Sequence, residues 1–247
     1  MKPRILSKLR ALRAVNSSAT LSAEGRINVG SGQGGIPNFV DLDLPSPHYN
    51  KMRKSDFVPY DMRQDTLPFS DESVGRIYCS HVIEHVENEH VERFLRESLR
   101  VLTPGGVLRI VTPDAKYLHA VSVFPNRYWS WRTQTLIEKY GVKRPTQTDF
   151  LQREVFSAKL FDANRPRNLS GNFEEDMARL SHGSEFDYSH PERHINYWSF
   201  QKLLSLTGPG WSQVVESKPG GCLDPVMRTK HFDLTAPHMS MWVDFLK

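Results

Sequence analysis

Apolar residues recur with two different spacings along the chain, and the order in which these spacings alternate predicts the fold class. Short apolar runs predict strands at residues 27–29, 39–43, 76–80 and 107–111. A helical spacing predicts a helix over about Asn88–Leu102, which Pro104-Gly105-Gly106 ends before the last of these strands. Strands that alternate with helices are typical of a parallel, doubly wound α/β sheet.

The regular alternation is interrupted by residues 116–193, which are rich in aromatic side chains and end in a loop of His, Ser, Asp and Pro. We interpret this stretch as an insertion that covers a functional site. The sheet pattern then returns, with a helix predicted at about Ser199–Leu206 and strands near 213–216 and 240–245. One elaborated domain over residues 26–247 accounts for the whole pattern.

The first 25 residues form a separate basic segment. Residues 1–15 place apolar side chains on one helical face and basic ones on the other, which predicts a short amphipathic helix. Such a helix can pack on its own domain or contact a membrane surface, and an organelle transit peptide has a similar composition. A secretory signal is disfavoured because Arg10 and Arg13 interrupt any apolar core of the segment.

Composition argues against several classes of protein. The 247 residues are 38% hydrophobic and 24% charged, without an internal repeat or a low-complexity tract, which disfavours a disordered chain, a fibre or a solenoid. No apolar run approaches the roughly 20 residues that span a bilayer, so an integral membrane protein is not expected. Cys79 and Cys222 are too few for a disulfide framework, which favours a cytoplasmic location with a peripheral membrane contact left open.

Charge is distributed unevenly along the chain. The net charge is +4, but residues 1–23 carry +5, residues 116–170 carry +6 and residues 171–193 carry −4. Positive segments of this size attract anionic partners, such as a phosphorylated sugar, a lipid headgroup or RNA. Two solvated faces of opposite sign would explain the same distribution.

A glycine-rich loop follows the first predicted strand. Gly30-Ser31-Gly32-Gln33-Gly34-Gly35 matches the dinucleotide pattern G-x-G-x-x-G, but Pro37 leaves no room for the helix that would face a pyrophosphate. The loop therefore suits a nucleoside without phosphates better than a dinucleotide, which argues against a dehydrogenase. A carboxylate at the end of the next strand would accept the ribose hydroxyls, and Asp43 lies nearer that end than Asp41.

Three further motifs give the sequence a resemblance to a known family. They are Leu67-Pro68-Phe69-Ser70-Asp71-Glu72-Ser73, His81-Val82-Ile83-Glu84-His85-Val86 and Arg100-Val101-Leu102-Thr103-Pro104-Gly105-Gly106. In this order they resemble the motifs of class I S-adenosylmethionine-dependent methyltransferases, and more narrowly those of the branch associated with bacterial polysaccharide and glycolipid biosynthesis. The stretch from Phe232-Asp233 to Val243 is similar to a C-terminal pattern of that branch. The resemblance implies a Rossmann-like methyltransferase sheet, a helical, aromatic lid insertion and S-adenosyl-L-methionine as the cofactor.

The resemblance also implies which residues bind this cofactor. The implied contacts are Gly30, Ser31 and Gly32 on its methionine and ribose side, Asp43 or failing it Asp41 at the ribose hydroxyls, Asp61 and Met62 at the adenine, and Ser80 with His81 at the sulfonium. The chain departs from the family at Asn28, where many methyltransferases have an acidic residue. The amide can still accept a hydrogen bond, but it carries no charge.

Methylation of a sugar hydroxyl calls for a base, because the hydroxyl is a poor nucleophile while it is protonated. A positioned base contributes roughly 10²–10⁴-fold to such a reaction. The candidate bases are His81, His85 and His194, and Asp114 is a candidate orienting acid at the end of its strand.

The spacing His81-x-x-Glu84-His85 also matches the motif of the inverted zinc proteases. On a helix the two histidines would share a face, and a distant acid such as Glu154 or Glu175 would have to complete the site. The methyltransferase resemblance explains the motif together with its neighbours, so no metal is expected.

These observations predict an S-adenosylmethionine-dependent methyltransferase that O-methylates a hydroxyl of an anionic sugar, glycan or glycolipid. The alternatives are a methyltransferase for a small aromatic or natural-product acceptor, and a degenerate, non-catalytic methyltransferase-like domain. RNA is a less favoured acceptor because no recognisable RNA-binding module accompanies the domain. The oligomeric state is left open by the sequence.

Overall fold

A seven-stranded sheet forms the centre of this computed structural model, which describes residues 25–54, 56–141, 143–156 and 168–247. The strands are β1 (Gly25–Val29), β2 (Val40–Asp43), β3 (Val58–Pro59), β4 (Val74–Ser80), β5 (Leu102–Pro113), β6 (Gln213–Ser217) and β7 (Ser240–Leu246). Their order across the sheet is β3-β2-β1-β4-β5-β7-β6. This is the predicted doubly wound, Rossmann-like sheet.

The sheet is mixed, so the prediction of a parallel sheet is confirmed for β1 to β5 and wrong for β6 and β7 at one edge. Strands β1 to β5 pair in parallel, whereas β7 runs antiparallel to both β5 and β6. Between β6 and β7 the chain forms only a short 3₁₀ helix at Pro225–Arg228, so it returns to the sheet without the helical crossover that a parallel pair needs. Strand β3 was not predicted because two residues are too few to show a period.

Helices cover the sheet and continue into the insertion. They are α1 (Pro47–Asn50), α2 (Asn88–Val101), α3 (Ala115–Val123), α4 (Arg127–Tyr140), α5 (Gln147–Phe156), α6 (Phe173–Ser181) and α7 (Phe200–Ser205). The predicted helix over 88–102 is α2, and it buries Phe94 and Leu95 against the sheet. Its end differs from the prediction: β5 already begins at Leu102 and runs through Pro104-Gly105-Gly106 with an irregular register against β4.

The insertion is helical and aromatic, as predicted, and it has a hydrophobic core of its own. Leu118 of α3, Phe150 of α5 and Met177 of α6 are fully buried in this core. Trp129 of α4 packs on Phe150, with ring centroids 4.6 Å apart. Because α3 starts directly after β5, this second core lies at the carboxyl edge of the sheet.

The predicted amphipathic helix over residues 1–15 and its membrane contact lie outside the described residues. Within the described ranges, none of the helices combines the length and the apolar character that a bilayer crossing requires.

A buried ion cluster joins β5, β7 and the loop that connects β6 to β7. Arg109 is completely buried, and its guanidinium donates to Asp233 through two nitrogens, at 2.9 and 2.7 Å, and to Asp244 at 2.6 Å. It also donates to Ser217 Oγ and to the Lys218 carbonyl. Burial alone would lower the pKa of Arg109, but the two carboxylates raise it, so the guanidinium stays charged.

We expect Arg109→Met to be strongly destabilising, because it leaves two buried carboxylates without their counter-charge. The expected loss in the free energy of unfolding is about 3–5 kcal/mol. Urea denaturation would measure it, with Arg96→Met as the matched control. Arg96 forms an exposed i,i+4 pair with Glu92 at 2.6 Å, and its loss should cost less than about 1 kcal/mol. Equal losses for the two variants would contradict a structural role for the buried cluster.

Candidate cofactor and catalytic site

A cavity of about 330 Å³ opens at the carboxyl ends of the parallel strands. The residues that follow β1, β2 and β4 line one side of it, which is where ligands bind in open α/β sheets. Its volume lies in the range of small-molecule sites. The cavity is therefore the candidate site that the topology itself favours.

Most of the residues predicted to bind the cofactor lie in this cavity. Its lining includes Gly30, Ser31, Gly32, Asp43, Asp61, Met62 and Ser80. Asp41, the alternative ribose ligand, does not line it. Of the candidate bases, His81 and His85 line the cavity, whereas His194 lies behind His85.

Asp43 connects the glycine loop to the end of β2. Its Oδ2 accepts from the backbone N–H of Gly32 at 2.8 Å, and its Oδ1 accepts from that of Leu44 at 2.7 Å. Arg53 lies 3.2 Å from Oδ2, and both side chains are almost fully buried. Burial raises the pKa of Asp43 even though Arg53 and the two N–H groups oppose the shift. A carboxylate has lone pairs for further donors at such a position.

Glycine is required at the first position of the loop. Gly30 has φ of +72°, and a Cβ on it would lie 2.1 Å from Cγ2 of Val82. The loop after β1 therefore passes directly against the segment after β4, and this contact closes the floor of the cavity. At Gly32, with φ of +60°, a Cβ would meet nothing within 4 Å.

A hydrogen bond explains why Asn28 occupies a position where many methyltransferases have an acidic residue. Its Nδ2 donates to Oδ1 of Asp41 at 2.9 Å, and both side chains are buried. An acid at position 28 would place two carboxylates against each other in a buried place. The Asn28–Asp41 pair therefore explains both the departure from the family pattern and the absence of Asp41 from the cavity lining.

The three candidate histidines come together around Glu84. His81 has φ of +55°, and its Nδ1 lies 3.0 Å from Glu84 Oε1 while its Nε2 lies 2.9 Å from Ser240 Oγ. The rings of His85 and His194 meet edge to face, with centroids 4.7 Å apart. The sequence did not predict this contact, because His194 follows the insertion and lies more than 100 residues after His85.

Burial determines the charge state of this cluster. It lowers the pKa of His85, and it lowers the pKa of His194 to about 4, so both imidazoles are neutral at neutral pH. Burial would raise the pKa of Glu84, but attraction to the adjacent His81 and a hydrogen bond from its ring lower it below its usual range. An ionised carboxylate thus lies beside two neutral imidazoles.

The carboxylate beside the candidate bases is Glu84 rather than the predicted Asp114. Asp114 does not line the cavity, and its Oδ1 accepts from the Tyr117 N–H as the N-cap of α3. That capping bond gives Asp114 a structural explanation. Glu84 is 1% exposed and touches His81 directly, and its place within the H-x-x-E-H motif was the signal for it.

The zinc-protease geometry is not formed by the motif. Residues 83–85 make a single 3₁₀ turn, and His81 lies before it in a left-handed conformation, so His81 and His85 do not share a helical face. Of the distant acids, Glu154 is engaged by Arg132 and by the Tyr128 hydroxyl.

The cavity is covered by the last part of the insertion rather than by its aromatic helices. Phe186 and Pro191 line it, and the Arg63 guanidinium stacks on the Phe186 ring. The Tyr188 hydroxyl donates to Asp61 Oδ2 at 2.8 Å, and that of Tyr49 donates to the Pro191 carbonyl at 3.1 Å. The part of the insertion that lies over this cavity is thus its exit loop, while the described lining includes none of Tyr117, Tyr128, Trp129 and Trp131.

Comparison with known proteins bears on the activity. Residues 37–110, under a third of the chain, match a family profile described as a methyltransferase domain. This segment contains β2 to β4, α2 and most of β5, together with Asp43, Asp61 and His81. The match supports an S-adenosylmethionine-dependent methyltransferase with S-adenosyl-L-methionine as its cofactor. No curated protein matches the sequence.

Three solved structures illustrate the remoteness of the similarity. The PH0226 protein of Pyrococcus horikoshii is 13% identical, with 99% of this chain and 92% of that chain covered. An S-adenosylmethionine-dependent methyltransferase from Mesorhizobium loti is 14% identical over 98% of both chains. The plantazolicin methyltransferase BpumL, in complex with SAH, is 13% identical, with 99% and 83% covered. The TM-score is 0.44 for each of the three, and we assign no property of these proteins to this chain.

The hydrogen bond between Asn28 and Asp41 can be tested by exchanging the two residue types. We expect Asn28→Asp to destabilise the fold by roughly 3 kcal/mol at neutral pH, because it buries an unpaired charge beside Asp41. The loss should shrink as pH falls toward 5, since the introduced acid has a raised pKa in the folded state and is protonated first there. Urea denaturation at two pH values measures both effects.

The matched control is the double variant Asn28→Asp with Asp41→Asn. It reverses donor and acceptor and should recover most of the stability, as expected for residues in direct contact. A double variant no more stable than Asn28→Asp would contradict the pairing.

Proposed function

We propose that the protein transfers a methyl group from S-adenosyl-L-methionine to a hydroxyl of an anionic sugar, glycan or glycolipid. One observation supports binding of the cofactor: the glycine loop, Asp43 and Asp61 line the same cavity at the carboxyl ends of the strands. When bound, the cofactor supplies a methyl group on a positively charged sulfur.

The residues that line the cavity fit this cofactor. At Gly32, where a Cβ would meet nothing within 4 Å, the backbone lets a ligand approach without a side chain in between. The buried Asp43 carboxylate retains lone pairs for ribose hydroxyls, and Asp61 with Met62 offers a polar and an apolar contact for a purine. These are the roles that we propose for them.

The acceptor would approach at the end of the cavity bordered by Ser80, His81 and His85. We propose that His81 and His85 hold the acceptor hydroxyl in line with the methyl group, and that one of them takes up its proton. Alignment of this kind contributes roughly 7–11 kcal/mol to such a reaction. His194 acts through its ring contact with His85, so its role is that of a positioning residue.

The anionic character of the acceptor rests on long-range attraction by residues 116–170, which carry +6 but contribute no described residue to the cavity lining. The sugar or glycolipid class rests on the motif resemblance. A small aromatic acceptor is the second candidate, because Tyr49, Tyr60 and Phe186 all line the cavity. A degenerate scaffold would lack cofactor binding altogether.

We expect calorimetric titration to show binding of S-adenosyl-L-methionine and none of NAD. Asp43→Asn should weaken the cofactor's affinity by roughly 10- to 100-fold, because a charged hydrogen-bond acceptor is lost. Asp56→Asn, at an exposed position outside the cavity, is the matched control and should bind as the unchanged protein does. Absence of binding to the unchanged protein would point to the degenerate scaffold.

The acceptor class is tested separately, with sugars that differ only by a phosphate. We expect the phosphorylated member of each pair to bind more tightly at low salt, with a difference that shrinks as salt screens the charge. Methylation followed by mass spectrometry would then identify the modified oxygen. Equal affinities within every pair would remove the anionic acceptor, and turnover of a small phenol instead would favour the aromatic one.

A further inference from the structure

Three side chains beside the cavity form a ready set of metal ligands. Glu84, His85 and His194 each offer a ligand atom, and these atoms all lie within 4.8 Å of one another. They come from the turn after β4 and from the exit of the insertion, so the fold rather than the local sequence brings them together.

The hydrogen bonds of the two imidazoles prepare them for a cation. His85 Nδ1 lies 2.9 Å from the Arg193 carbonyl, and His194 Nδ1 lies 2.7 Å from the Val155 carbonyl. A carbonyl can only accept, so each Nδ1 carries the hydrogen and each Nε2 keeps a lone pair. Metal-binding histidines are oriented in this way, with the second ring nitrogen donating to a carbonyl or a carboxylate.

The carboxylate of Glu84 is similarly oriented. Its Oε2 accepts from the Thr112 hydroxyl at 3.1 Å. Its Oε1 is buried and lies 3.0 Å from His81 Nδ1. Both oxygens are thus held in place by neighbouring side chains, as carboxylates that ligate metals are.

We propose that Glu84, His85 and His194 bind a divalent first-row transition metal ion at the acceptor end of the cavity. Two imidazoles and one carboxylate suit manganese, iron, cobalt or zinc, whereas magnesium and calcium prefer oxygen ligands throughout. Three protein ligands leave coordination positions open, and His85 lines the cavity. An oxygen of the acceptor can therefore occupy one of them, which would orient it and favour its deprotonation.

The metal site revises the expectation that no metal is needed, and it does not depend on the proposed function. Only its role in holding the acceptor oxygen rests on methyl transfer. The same residues that serve as candidate bases would then act as ligands, with His81 remaining outside the ligand set and in contact with Glu84.

The experiment is a metal titration of the full chain without an affinity tag, after removal of bound metal with a chelator. Mn²⁺ binding is followed by electron paramagnetic resonance, and Co²⁺ binding by its visible absorption. We expect one equivalent to bind. We expect His85→Ala and His194→Ala each to weaken binding by more than roughly 10- to 100-fold, the loss typical of removing a group that only hydrogen-bonds to a metal ligand. Glu84→Gln retains the shape of the side chain and should weaken binding as well.

His231→Ala is the matched control, since His231 is exposed and lies outside this cluster. It should bind metal as the unchanged protein does, and circular dichroism confirms that every variant is folded. Failure of the unchanged protein to bind Mn²⁺, Co²⁺ and Zn²⁺ would overturn the site. So would binding that persists in both histidine variants.

Cofactor titration of the same metal-free and metal-loaded samples distinguishes the two proposals. Binding of S-adenosyl-L-methionine without any metal binding leaves the proposed function intact and removes the metal site. Metal binding without cofactor binding retains the metal site and removes the proposed function.

Discussion

The buried ion cluster around Arg109 is the interaction on which the shape of the site depends. It joins β5 to β7 and fixes Asp233, which precedes the segment that returns to the sheet. That segment brings Thr235 to the cavity and Ser240 to His81. This ion cluster does not line the cavity, yet it determines what surrounds His81, the candidate catalytic histidine. It also gives the C-terminal motif from Phe232-Asp233 to Val243 a physical explanation.

A second constraint acts through the turn after β4. The Glu84 carbonyl accepts from the N–H groups of Ile195 and Asn196, at 2.9 and 3.0 Å, which ties the exit of the insertion to this turn. These two hydrogen bonds place His194 against His85 and position the loop with Phe186 and Pro191 over the cavity. One residue therefore contributes its backbone to the architecture and its side chain to the chemistry.

Local patterns predicted those parts of the fold that local patterns determine. The strands around the glycine loop and α2 follow from periodicity, whereas the candidate cofactor residues that line the cavity, from Gly30 to Ser80, came from the family resemblance. The direction of β7, the separation of Asp41 from Asp43 and the capping role of Asp114 depend on contacts between distant segments. The same holds for the cluster of Glu84 with His194, whose members are far apart in sequence.

The histidine cluster can be interpreted as a general base or as a set of metal ligands, and these two functions require different numbers of groups. A general base needs one imidazole with a free lone pair, and His85 alone at the cavity would satisfy that requirement. The structure instead places the half-buried His194 imidazole edge to face against it and the buried Glu84 carboxylate beside both. Burial of such a carboxylate is favourable when a cation neutralises it, and two further lone pairs in the same place favour a metal ion over a proton. The geometry of Glu84, His85 and His194 therefore fits a ligand set, and His81 is the imidazole left to act as the base.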